Sequence, residues 1–114
     1  MRKISICLLA LSSSVFAVDE GGWLANSVEI TSVANTSNNA MAFTVETTEH
    51  SKDCSGKTIT FPLNVAGNAG NNKEIHSRAY STALAAMMAG KKVSIYSYAD
   101  QSVCTQAAYI RVFN

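Results

Sequence analysis

Residues 73–96 read KEIHSRAYSTALAAMMAGKKVSIY, and the hydrophobic period changes inside them. Ile75, Ala79, Ala83, Ala86 and Met87 recur at spacings of three and four, the single apolar stripe of a helix, which Leu84 and Met88 widen. The alanines in that stripe let a helix lie close to its support. Gly90 is the expected residue just past the helix end, and Lys91 and Lys92 follow where they favour the negative pole of the helix. Upstream, Asn71 is the expected N-cap, with Glu74 placed for a capping box. From Val93 the period becomes two. Val93, Ile95 and Ser97 face one way, and Ser94, Tyr96 and Tyr98 face the other, as in a strand.

Strand patterns lie on both sides of this helix. Trp23–Val33, WLANSVEITSV, places Val28, Ile30 and Ser32 on one face and Glu29 and Thr31 on the other. ANTSNNA then makes a turn, since Asn and Ser side chains bond their own backbone. In Ala42–Thr47, Phe43 and Val45 alternate with Thr44 and Glu46. After the polar loop EHSKDCSG, KTITFPL alternates Ile59, Phe61 and Leu63 on one side, and Pro62, which has no N–H, belongs at an edge or a strand end. AGNAGNN connects to the helix. Beyond it, YIRVF at 109–113 alternates Ile110 and Val112 with Tyr109, Arg111 and Phe113.

The expected order is therefore three strands, one helix and two strands. A small five-stranded sheet must bury one face, and closing it on itself removes its edges. The first expectation is a mainly β, five-stranded OB-fold-like barrel whose helix, between strands three and four, plugs the open bottom. The competing architecture is an antiparallel sheet with one helix packed on a face.

The first residues, MRKISICLLALSSSVFAVDE, have the form of a secretory signal peptide: a basic start at Arg2 and Lys3, an apolar core at Ile4–Ala10 and a small-residue cleavage site at Val15-Phe16-Ala17. The apolar run is too short to span a bilayer. Residues 1–17 are read as the signal and 18–114 as a single OB-like domain, secreted or periplasmic, with no transmembrane segment in the mature chain. That mature part carries seven Lys or Arg and eight Asp or Glu, for a formal net charge of −1. It has no basic patch, and nucleic acid is not an expected partner. Two cysteines survive cleavage, Cys54 and Cys104. In an oxidising compartment they should pair, because there is no CxxC and the only histidines are His50 and His76.

No enzyme chemistry is displayed. A catalytic serine needs a base within reach and a group to orient it, and neither His50, in the EHSKD loop, nor His76, in the first turns of the helix, has a partner suggested by the sequence. Acid pairs drawn from Glu46, Glu49 and Asp53 have no distinguishing spacing. No metal or cofactor is expected. An NTS sequon begins at Asn35, and it has meaning only in a cell that glycosylates it. The aromatics are more informative. Trp23, Tyr96, Tyr98, Tyr109 and Phe113 fall mostly on strand faces opposite the core positions, where they suggest an interface or a sugar platform.

The block KEIHSRAYSTALAAMMAGKKVSIY, a cysteine-bearing loop and a short last strand resemble the B subunits of bacterial AB5 toxins, in particular the subtilase-cytotoxin and typhoid-toxin-like branch. The similarity runs from Phe43 through Ile95 as a pattern without an exact motif. It implies an OB-fold, a pentameric ring and the binding of host glycans, often sialylated. Carried over, it makes Ser27, in WLANSVEI, the nearest counterpart of a serine that contacts the sugar in that family. It makes His76, Arg78 and Ser81 candidates for the pore-facing side of the helix. The pattern of a strand pair, a cysteine, a helix ending in AG–K and a V-x-I strand also resembles small secreted proteins of Gram-negative bacteria without assigned function.

The expected function is a non-enzymatic glycan- or receptor-binding module, with Trp23, Ser27, Tyr96 and Tyr98 as ligand-binding candidates. The alternative is a structural or protein-interaction protein. A final strand is often an edge strand, and Arg78, Ser81, Tyr109, Arg111 and Phe113 are the candidates for an interface in a cyclic homo-oligomer.

Overall fold

The computed structural model describes residues 21–36, 40–49, 54–65, 67, 70–100 and 102–114. The expected signal peptide, His50 and Asp53 lie outside the described residues. Five strands and one helix follow in the expected order among the described residues: β1 (Gly22–Ala34), β2 (Ala42–Thr47), β3 (Thr58–Pro62), α1 (Lys73–Ala89), β4 (Lys92–Ser97) and β5 (Tyr109–Phe113). The sheet runs β3-β2-β1-β4-β5, and every neighbouring pair is antiparallel.

The ladder does not close. β3 and β5 are its two edges, so the expected barrel is replaced by the competing architecture, an open antiparallel sheet with one helix packed against it. The reason lies at Thr60. Its amide donates to the carbonyl of Cys104 at 2.8 Å, and its carbonyl accepts from the amide of Ala107 at 3.1 Å. The outer edge of β3 is thus occupied by the loop before β5 and not by β5 itself. That loop is tied down by the expected disulfide, Cys54–Cys104, whose Cα atoms are 5.6 Å apart.

β1 is the strand that joins the two halves. Residues 22–29 pair with β4, and residues 30–34 pair with β2. The register shifts three times along it, at 23/25, at 25/28 and at 30/32. Each shift is a bulge, an extra residue that bends the strand and increases its twist. The second contains Ser27 at a φ of 53°, the left-handed region that a side chain disfavours. Leu24 and Ala25, consecutive at the first bulge, are both buried.

The core is the expected one in outline. Val28, Ile30, Phe43, Val45, Ile59, Phe61, Val93 and Ile95 are all buried from the sheet side. α1 contributes Ala79, Ala83 and Ala86, and it rests on β1 and β5. Met88, expected to widen this stripe, is 78% exposed, and Leu63 lines a surface cavity instead of the core. Val112 faces the core side in register with Val93 but remains partly exposed.

The helix ends are set locally. Asn72, not Asn71, is the N-cap: its Oδ1 accepts from the amides of Glu74 at 2.9 Å and Ile75 at 3.0 Å. The one-residue shift puts Glu74 at the second helical position, out of place for the expected box. Gly90 ends the helix at φ 67°, ψ 31°. Its amide bonds the Met87 carbonyl and that of Lys91 bonds the Ala86 carbonyl, the paired pattern of a Schellman stop.

Candidate functional site

Three strands build the outer face of the β1–β4–β5 half. Trp23 lies opposite Tyr96, Tyr96 opposite Tyr109, Ser94 opposite Arg111, and Lys92 opposite Phe113. Directly opposed side chains on one face come into contact, and the rings do so here. Trp23 meets Tyr96 edge-on with centroids 4.9 Å apart, and meets Tyr109 at 5.9 Å. Tyr96 also meets Tyr98 at 5.0 Å and Tyr109 at 6.3 Å. Tilted and edge-to-face pairs of this kind contribute about 0.5–1.5 kcal/mol each beyond area burial.

Tyr96 is therefore the centre of the group. It is half-buried, as are Trp23 and Tyr109, while Tyr98 at the outer end is exposed. Backbone closes in on two of these rings. A Cβ at Gly21 would stand 2.8 Å from the Tyr96 hydroxyl, and a Cβ at Gly67, whose φ is +90°, would stand 2.8 Å from the Tyr98 ring. Glycine is needed at both places for the tyrosines to lie where they do.

At the other end the exposed Arg111 supplies charge. Its guanidinium carbon stands 5.7 Å from the centroid of Trp23 and also 5.7 Å from that of Phe113. An arginine held between two rings is fixed in orientation while its N–H groups stay available. The face thus combines flat apolar ring surface, tyrosine hydroxyls and one oriented cation.

Of the four ligand-binding candidates, Trp23, Tyr96 and Tyr98 are brought together. Ser27 lies further along β1, where its amide donates to Ser94 Oγ at 3.2 Å, so its local role is to seat the bulge. Tyr109, Arg111 and Phe113, expected as a separate interface, join the same aromatic face. Arg78 lines a cleft of about 230 Å³ between α1 and β5, with Tyr109 and Ile110 on the opposite wall. Ser81 is exposed on the helix, away from this face.

A second concavity was not legible in the sequence. A cavity of about 340 Å³ opens where the end of β1, the start of β2 and the end of β3 meet the first turns of α1. Phe43 forms its wall, stacked on Phe61 at 4.5 Å with planes 7° apart. His76 and Tyr80, one helical turn apart, meet Phe43 at 5.2 and 5.3 Å. His76 Nε2 donates to the Phe61 carbonyl at 2.8 Å, taking Nε2 as the protonated nitrogen, and this ties the helix to β3. The sequence signal was the second helical face through Lys73, His76, Ser77 and Tyr80, beside the alanine stripe.

Among the described residues, no group of three or more His, Cys, Asp or Glu side chains is placed to hold a metal ion. No helix there is long and apolar enough to cross a membrane. Neither the curated proteins nor the solved structures contain a match to this sequence. The model of a family of unknown function, DUF5992, matches residues 4–114, nearly the full length, and the chain belongs to that family.

Proposed function

We propose that this chain is an exported, non-catalytic binding module whose ligand is a carbohydrate, free or carried on a receptor, and that its site is the aromatic face of β1, β4 and β5. The observation that carries the reading is the continuous contact of Trp23, Tyr96, Tyr98 and Tyr109 on the outer side of the sheet, with Arg111 at the rim. A pyranose has apolar C–H faces and a polar rim. Ring faces suit the first, and tyrosine hydroxyls with an oriented guanidinium suit the second. The disulfide, which suits an oxidising compartment, adds support.

Trp23 is the only tryptophan in the sequence, so intrinsic tryptophan fluorescence reports on this face alone. A glycan array with the purified protein, followed by titration of each hit against Trp23 emission, tests the proposal. Saturable binding with a fluorescence change supports it. An array empty at high protein concentration removes it.

A second reading rests on the outer edge of β5, which no strand pairs among the described residues. An unpaired strand carrying Tyr109 and Phe113 can add a strand from another copy, and a cyclic homo-oligomer would be the result. Light scattering over a concentration series tests this. A single-chain mass throughout excludes the ring and leaves the carbohydrate reading in monomeric form.

A further inference from the structure

We propose that the cavity over Phe43 binds a small amphipathic acid, an apolar body with one carboxylate head, at a site separate from the aromatic face. The volume of about 340 Å³ lies at the lower end of the range for small-molecule sites. At about 30 Å³ per heavy atom, the share of a water molecule in the liquid, it holds about eleven such atoms, enough for the alkyl body of a ten-carbon chain whose head stays at the open mouth beside the exposed Lys73. Its floor and walls are apolar: Met41, Ala42, Phe43 and Leu63 from the sheet side, and the ring of Tyr80 from the helix.

The wall is preformed. Phe43, itself buried and stacked on Phe61, backs the half-buried rings of His76 and Tyr80, and His76 is fixed to the Phe61 carbonyl. A ligand therefore meets a surface that has little left to order, which lowers the cost of binding. Met41 is 65% exposed at the rim, an unbranched side chain able to fold over an alkyl body.

The polar groups choose the head. Among the described residues, Lys73 is the one Lys or Arg on the lining, no carboxylate lines the cavity, and Asn35 and Ser77 offer hydrogen-bond donors beside it. A carboxylate is complementary to this set, whereas a quaternary ammonium would face Lys73 without compensation. The apolar lining does not suit a sugar, whose hydroxyls would lose water without partners.

Calorimetric titration with decanoate, decanol and decyltrimethylammonium tests the assignment. Decanoate is expected to bind most tightly and the ammonium not at all. Lys73→Gln should weaken decanoate by about fivefold, the upper end for an exposed charge pair, and leave decanol unchanged. Ser77→Trp, at an exposed helix position, should fill the mouth and abolish both, with helicity by circular dichroism confirming the fold. Trp23 emission should stay constant during the decanoate titration of the unsubstituted protein, which separates this site from the carbohydrate site. Equal affinity for all three probes, an unchanged decanoate affinity in Lys73→Gln, or no decanoate binding at millimolar concentration would each overturn the proposal.

Discussion

The guanidinium carbon of Arg111 stands 5.7 Å from the centre of the Trp23 indole, across a sheet in which β4 separates their strands. An edge-strand cation is thereby coupled to the ring at the other side of the aromatic face. At an exposed site such a contact contributes about 0.5–1 kcal/mol. Arg111→Ala is expected to destabilise the fold by about that amount, read as a lower urea midpoint, and to shift Trp23 emission in the native state.

The two tyrosines at the end of β4 should separate stability from binding. Tyr96 touches three rings and is half-buried, so Tyr96→Ala should cost about 2–3 kcal/mol, somewhat less than truncating a fully buried aromatic. Tyr98 is 41% exposed and touches Tyr96 at the margin. Tyr98→Ala should cost less than about 1 kcal/mol. If the aromatic face is the carbohydrate site, Tyr98→Ala loses affinity while its thermal midpoint barely moves.

Removing the disulfide should have the largest effect of any single change. Cys54 and Cys104 are 50 residues apart, and on the loop-entropy model closing a loop of that length constrains the unfolded chain by about 4 kcal/mol. For a small domain this is a large share of the total. The expected outcome is that dithiothreitol, or the Cys54→Ala/Cys104→Ala pair, lowers the denaturant midpoint sharply and leaves little folded protein at moderate urea.

The helix cap offers a one-residue test of the start of α1. Asn72 satisfies two amides with one oxygen. Asn72→Ala should therefore cost about 1 kcal/mol, whereas Asn71→Ala should change stability by no more than about 0.5 kcal/mol. Equal losses from the two would place the cap elsewhere.

Asp100 provides a pH signature in the loop between β4 and β5. Ser102 donates its hydroxyl at 2.6 Å and its amide at 2.9 Å to Asp100 Oδ1, and these bonds hold the carboxyl below its ordinary value. The folded pKa is thus depressed relative to the unfolded chain. The ordering of the turn is present above the unfolded pKa and is lost as pH falls through the folded one. The Ser102 amide resonance should accordingly titrate with a midpoint below that of an ordinary aspartate.

The order of elements was legible because the hydrophobic period switches sharply from two to 3.6 and back, and Gly90 marks one of the switches. The cysteine pair was legible by elimination of other uses for it. The closure of the sheet was not, because it turns on which backbone takes the outer edge of β3. That choice falls to the loop at Cys104–Ala107, whose sequence has no strand pattern. The aromatic residues were assigned to the outer faces from alternation alone, but the union of the β1, β4 and β5 groups depends on strand order. The cavity over Phe43 was illegible for a similar reason. Its lining comes from four separate segments, and each residue has an ordinary role in its own.

The bends in β1 bear on how this chain can vary. In a regular ladder, adding or deleting one residue turns every later side chain inside out. A bulge already holds a residue in excess of its partner, so that residue can be lost without inverting the downstream residues. β1 has three such places, and they fall between the stretch that presents Trp23 and the stretch that leads to Asn35 at the cavity mouth. The length of chain between the two surfaces is therefore adjustable at small cost, and each could be reshaped in a descendant sequence while the other keeps its register.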